Sequence, residues 1–203
     1  MNFKDKVVWI TGASSGIGEA LVYAFVKKGA QVIISSENEP ELIRVEKNCN
    51  NMGGRSYVVP FDLLKTDDID KHVARVIQRF GRIDILMNNG GISQRALVSD
   101  TGIEIDRKIM EINYFGAIAL TKAVLPYMIK NGSGHITATS SIVGKFGFPL
   151  RSAYSASKHA IQGFFETLRA EVKHNNIKVT IIIPGRDYYS IIMLIIYMSI
   201  ILD

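Results

Sequence analysis

Residues 6–18 read Lys-Val-Val-Trp-Ile-Thr-Gly-Ala-Ser-Ser-Gly-Ile-Gly. After the lysine the run is β-branched and apolar, so Lys6–Ile10 reads as a strand. From Ile17 to Lys28, the residues Ile17, Ala20, Leu21, Ala24 and Phe25 recur at spacings of three and four. That is the period of a helix. A glycine-rich turn between a strand and a helix has a specific physical use. Gly12 permits a tight turn, Gly16 lets backbone approach a pyrophosphate, and Gly18 lets the helix pack close to the sheet. The free amides and partial positive charge of the helix N-terminus then face the phosphates. Thr11–Gly18 therefore reads as a dinucleotide cradle at the start of an α/β fold.

The same alternation continues outward from this segment. Gln31–Ser35 reads as strand two, and Pro40–Asn51 as a helix ended by Gly53-Gly54. Ser56–Asp62 is strand three, followed by a helix from a Thr66 cap to Phe80, closed by Gly81. Arg82–Asn88 is strand four. Thr101–Lys130 is largely helical, with an interruption near Gly116, and Gly132 and Gly134 close it. His135–Ser140 is strand five, Ser152–Asn175 a long helix, and Lys178–Ile183 strand six, stopped by Pro184-Gly185. Strands alternating with longer helices predict a parallel sheet covered on both faces. The expectation is a doubly wound, Rossmann-like sheet in the order 3-2-1-4-5-6.

Composition bounds the class. The chain has 203 residues, 47% hydrophobic and 21% charged, which suits one globular domain and excludes a disordered or collagenous chain. The net charge of +5 is spread among acids, as in Glu104–Asp106–Arg107–Lys108, with no basic run. Nucleic acid is therefore not an expected partner. The single cysteine, Cys49, excludes a disulfide framework and a cysteine-based zinc site, and fits a reducing, cytoplasmic compartment. His72, His135, His159 and His174 are scattered, so no metal site is expected. Met1–Lys6 has no apolar leader, so neither signal peptide nor N-terminal anchor is expected.

Chemistry points to the fifth strand and the helix after it. Tyr154 and Lys158 are four apart and share a helical face. A free tyrosine ionises near pH ~10 and is a poor acid or base at neutrality. An adjacent ammonium stabilises its phenolate and tunes it toward general acid/base work. Ser141, thirteen residues earlier, ends strand five at the edge where such sheets bind ligands. Its hydroxyl can hold a carbonyl or alcohol oxygen. Alone, the Tyr–Lys pair would be a surface feature; Ser141 and the cradle give it a use.

These residues carry a resemblance. Thr11–Gly18, Asn88-Asn-Gly-Gly91, Asn113, Ser141, Tyr154-Ser-Ala-Ser-Lys158 and Pro184-Gly185 resemble the motifs of the short-chain dehydrogenase/reductase family, in its order and spacing. The family usually has NNAG where Asn88–Gly91 stands. The resemblance covers Lys4 to about Gly185, and the phrase Arg82–Arg95 is similar to the animal dehydrogenase/reductase member-7-like branch. It implies an NAD(P)(H)-dependent oxidoreductase acting on a carbonyl or secondary alcohol. It adds Asn113 to the catalytic set, holding a water in a proton relay, and brings Lys158 to the nicotinamide ribose. The implied cofactor-binding set is Gly12, Ser14, Ser15, Gly16, Ile17, Gly18, Glu37, Asp62, Leu63, Asn89, Gly90, Tyr154, Lys158, Pro184 and Gly185. Asp62 would accept from the adenine amino group; from the residues alone it reads equally as a turn cap. Asn88 would brace the sheet. Homodimers or tetramers through the long helices, and association with the endoplasmic reticulum membrane, are further implications.

Cofactor choice is read after strand two. Glu37 lies 19 residues past Gly18, near the ~20-residue offset of an acid that bonds a ribose 2′-hydroxyl and repels a 2′-phosphate. The member-7-like branch usually carries arginine there, which favours NADP(H). The residues lean to NAD(H); a Glu37 that merely points to solvent would carry no preference. Beyond the domain of residues 1–187, Tyr188–Asp203 holds one charge and six isoleucines. Its fifteen largely apolar residues to Leu202 fall short of the ~20 that span a bilayer. In the family this region supplies a nicotinamide-binding threonine, a substrate loop and a seventh strand. The expectation is a truncated or altered end with the seventh strand missing. A non-catalytic dinucleotide-binding protein or an inactive product are the alternatives to an enzyme.

Overall fold

The computed structural model describes residues 3–184. Gly185 and the apolar segment 188–203 lie outside them. Six strands form one parallel sheet: β1 (Val7–Thr11), β2 (Gln31–Ser35), β3 (Arg55–Val58), β4 (Ile85–Asn88), β5 (Gly134–Thr139) and β6 (Ile177–Ile182). Their order is β3-β2-β1-β4-β5-β6, as the alternation predicts. The helices are α1 (Gly16–Lys27), α2 (Glu39–Asn51), α3 (Ile69–Phe80), α4 (Ile103–Met110), α5 (Ala117–Asn131) and α6 (Ser152–Glu171).

Strand alternation sends side chains to two cores. Val8 and Ile10 of β1 join Val32 and Ile34 against Leu21 and Phe25 of α1 and Leu42 and Val45 of α2. Val7 and Trp9 face the other way, with Leu86 and Ile136, against Val73 of α3, Leu120 and Val124 of α5 and Phe165 of α6. Trp9 is fully buried, and its indole N–H donates to Ser35 Oγ at 2.8 Å. β1 and β4 are neighbours, yet their connections leave toward opposite sides of the sheet. The crevice above their carboxyl ends is where such folds bind ligands.

Element ends differ from the sequence reading for local reasons. β3 stops at Val58 rather than at Asp62. The path still runs alongside β2, since the Val59 and Phe61 amides donate to the Ile34 and Ser36 carbonyls. β4 begins at Ile85, because Asp84 turns its carboxylate to the Val7 amide and to Lys6 and Arg82. The third helix starts at Ile69, three residues past Thr66, whose carbonyl instead accepts from the Ile69 amide in a turn. The last long helix ends at Glu171, with Lys173–Asn175 forming a separate 3₁₀ turn. The expected interruption near Gly116 is a wider π-helical turn, Glu111–Gly116, between α4 and α5. Such bulges cluster at functional sites. Among the described residues one helical run, Ile103–Asn131, is long and apolar enough to cross a membrane. Here it packs on α3 and α6.

Candidate active site

A cleft of about 700 Å³ opens above the carboxyl ends of β1, β4 and β5. Its floor is the glycine-rich turn. Gly12 has φ +64°, and a Cβ there would lie 2.7 Å from Gly90 Cα. A Cβ at Gly18 would lie 2.0 Å from the Gly12 carbonyl oxygen. Only glycine lets the loop fold on itself this closely beneath α1. Ser15, the N-cap of α1, makes no side-chain cap bond, so the helix's first amides remain available to a ligand. Thr11, quoted in the motif but given no role there, ties the floor to β4. Its Oγ accepts from the Asn89 and Gly90 amides at 3.1 and 3.0 Å, and Asn89 Nδ2 donates to the Thr11 carbonyl. Asn89 Oδ1 in turn accepts from Thr139 Oγ of β5 at 3.2 Å.

At one end of the cleft, Ser14 Oγ donates to Ser36 Oγ, and Ser36 Oγ donates to the Glu37 carboxylate at 3.2 Å. Glu37 is exposed and lines the cleft. Behind it, Arg44 of α2 grips Glu19 with both Nη atoms, at 2.8 and 2.9 Å, and Glu41 with Nε. Its Nη2 also donates to the Ser14 carbonyl at 3.2 Å. The guanidinium holds the Glu19 carboxyl below the usual carboxylate range. Asp62 accepts from the Leu64 amide at 2.9 Å, the turn-cap role, while also lining the cleft. Leu63 packs against Gly90: a Cβ there would lie 2.7 Å from Leu63 Cδ1.

At the other end lie the side chains that the sequence reading singled out for chemistry. Lys158 is 4% exposed, and its Nζ donates to the Thr139 carbonyl at 2.7 Å. Burial alone lowers its pKa to about 8. The ammonium lies 5.6 Å from the centre of the Tyr154 ring. Ser141, Tyr154 and Lys158 all line the cleft, as does Pro184. Asn113 is 1% exposed and sits in the π-turn behind them. It accepts from the Ile92 amide at 2.7 Å and donates to the Ile92 carbonyl at 2.9 Å and to Ser157 Oγ at 3.0 Å. A Cβ at Gly91 would meet Asn113 Oδ1 at 2.9 Å and Lys158 Nζ at 3.6 Å, so Gly91 lies between the two.

The structure thus gathers Gly12, Ser14, Ser15, Gly16, Ile17, Glu37, Asp62, Leu63, Asn89, Gly90, Ser141, Tyr154, Lys158 and Pro184 around one cleft. Gly18 lies beneath the loop and Asn113 behind the wall. Asn88 braces the sheet through Nδ2 to Thr121 Oγ at 2.9 Å. Cys49 is buried, and burial pushes its thiol up. Among the described residues no three His, Cys, Asp or Glu side chains converge as metal ligands.

The short chain dehydrogenase family model matches residues 6–187. The chain belongs to the short-chain dehydrogenase family. Among curated relatives, it is 50% identical over 184 residues to the dehydrogenase/reductase SDR family protein 7-like of Drosophila melanogaster. That match covers 89% of this chain and 56% of the relative. It is 48% identical to member 7B of Mus musculus, over 90% of this chain and 58% of that one. It is 46% identical to member 7 of Homo sapiens, over 89% and 55%. These relatives place it in the member-7-like branch of the family. The chain spans a little over half the length of the curated relatives it matches. Among solved structures, a metagenomic short-chain oxidoreductase in complex with NADP superposes with TM-score 0.91 at 26% identity, covering 98% of this chain and 92% of that one. A short-chain dehydrogenase from Streptomyces avermitilis superposes with TM-score 0.85 at 36% identity, covering 90% and 66%.

Proposed function

We propose that the chain is a nicotinamide-dependent oxidoreductase interconverting a small-molecule carbonyl and a secondary alcohol. The observation that carries this reading is one cleft with free helix amides at one end and a desolvated ammonium beside a tyrosine at the other. The glycine floor fits a dinucleotide, because its missing side chains leave backbone amides in reach of a pyrophosphate.

When bound, the nicotinamide supplies or takes up a hydride at its C4. In the reducing direction Ser141 Oγ donates a hydrogen bond to the substrate carbonyl and fixes its oxygen. Tyr154 Oη gives that oxygen a proton as a C–H bond forms at the carbonyl carbon. The product is the alcohol, and Tyr154 is left as phenolate. Lys158, protonated below about pH 8, stabilises that phenolate. Asn113, held by Ile92 and Ser157, keeps the wall behind Lys158 in register for proton resupply. In the oxidising direction Tyr154 takes the alcohol proton.

Glu37 beside Ser36 favours a free ribose 2′-hydroxyl, so NAD(H) is the cofactor read here, although the structural neighbour holds NADP. Michaelis constants for NADH and NADPH decide between them; a strong NADPH preference overturns the choice. The oxidoreductase reading is tested with C4-deuterated NADH or NADPH and a panel of aromatic and aliphatic ketones. Deuterium on the product carbinol carbon is expected. Cofactor binding without transfer to any ketone, and without oxidation of the matching alcohols, overturns it.

A further inference from the structure

The first amides of a helix have no partner within it, and fray unless something outside accepts from them. α6, which carries Tyr154 in its first turn, receives no cap from its own N-cap residue, Arg151. The acceptor comes instead from the loop after β4. Gln94 Oε1 accepts from the Tyr154 amide at 3.2 Å, and Gln94 Nε2 donates to Ser152 Oγ at 3.1 Å. Arg151 reaches back, donating from Nη1 to the Gln94 carbonyl at 2.8 Å and to Ser93 Oγ at 2.5 Å. Two residues past Gln94, the Ala96 amide donates to the Leu150 carbonyl at 3.3 Å. Leu150 has φ +65°, a conformation that leucine rarely adopts.

We propose that Gln94 is a positioning residue for the reaction: it caps the catalytic helix from the loop after β4 and fixes where Tyr154 stands relative to Ser141. The loop it belongs to lines the cleft at Ile92 and Ser93, so the tyrosine's position is tied to the loop a substrate must meet. Glutamine suits this task because its amide accepts from an N–H and donates to a hydroxyl at once. Glutamate keeps the acceptor, favours a helix N-terminus, and leaves Ser152 free to turn its hydroxyl as donor. Alanine keeps neither bond, and asparagine is too short to reach. The role rests on the proposed acid/base function of Tyr154.

The test compares wild type with Q94A, Q94E, Q94N and Y154F, using the preferred cofactor and 9,10-phenanthrenequinone as probe ketone. Q94A is expected to lose about tenfold in kcat with cofactor KM within about twofold, since small displacements of a reacting group cost rate rather than binding. Its Tyr154 amide should exchange with deuterium about tenfold faster, while the amides of Ile161–Leu168 keep their protection. Q94E should restore both properties. Q94N should match Q94A and stands in for it if Q94A does not fold. Wild-type kcat in Q94A or Q94N overturns the positioning role, as does equal loss in Q94E or an unchanged Tyr154 amide. Y154F with wild-type turnover defeats the acid/base reading instead, and a wild type without turnover on the probe, on any other ketone of the panel or on the matching alcohols overturns both.

Discussion

The two ends of the cleft are built from different materials. The glycine end is backbone: amides at the start of α1, a floor that Gly18 keeps bare, and charges such as Arg44 and Glu19 braced near the surface. The catalytic end is side chains: one buried ammonium, a buried asparagine, and a tyrosine on the first turn of α6. Backbone contacts bind phosphate through steric fit and a helix dipole, with little demand on side-chain chemistry. Buried polar groups hold a charge where it reacts, and they lower stability in doing so. The glycine end should therefore govern cofactor affinity, and the catalytic end turnover. The experiments that separate the two follow in order of expected effect.

Lys158→Met should lower kcat by about 10²–10³, and should weaken cofactor binding only about threefold to tenfold, the share of one ribose hydrogen bond. It should also raise the melting temperature of the ligand-free protein by about 2–4 °C, because it removes a charge held out of water. The pH dependence follows from the sign of the shift. Lys158 in the fold has a pKa of about 8, below its ordinary 10.5. Between these values the unfolded chain holds the extra proton, so wild-type stability rises with pH through that window. The variant should lose this rise, and wild-type reduction should decline above about pH 8. A destabilised Lys158→Met, melted across pH 7–10, would mean that the ammonium is structural.

Gly18→Val tests the other end. Its side chain would run into the Gly12 carbonyl, and cofactor dissociation constants should rise about 100-fold. Tight binding by the variant would remove the floor from the account. Glu37→Ser should raise the NADPH-to-NADH ratio of kcat/KM about tenfold by relieving repulsion of a 2′-phosphate; no change would mean Glu37 takes no part in the choice. Arg44→Ala should raise cofactor KM about threefold with kcat unchanged. Adding about 0.5 M salt to wild type should mimic it, since exposed ion pairs are screened. A kcat loss from either would show that the two ends are not separable.

The same contrast explains what could be read from residues alone. The glycine end is contiguous: strand, turn and helix lie within residues 6–28, and each glycine has a steric reason. Sheet order follows from the alternation and its topology. At the catalytic end, Tyr154 and Lys158 declare themselves by helical spacing, and Ser141 by its place at the end of β5. Asn113 carried no local signal and entered through the family resemblance alone; its π-turn departs from ordinary helix in a way no propensity announces. Thr11, the Thr139 carbonyl, Ser157 and Gln94 join segments distant in sequence, so their contacts exist only after folding. The start of β4 moved because the Asp84 carboxylate, not a ladder carbonyl, takes the Val7 amide.

The central claim is that binding and proton transfer reside at opposite ends of one cleft, with Tyr154 as the acid/base. Tyr154→Phe, assayed for kcat and for cofactor dissociation constant on one preparation, tests it most directly. The expected result is a kcat loss of about 10²–10⁴ with a dissociation constant within about twofold of wild type. Retained turnover, or affinity falling in step with it, would contradict the account.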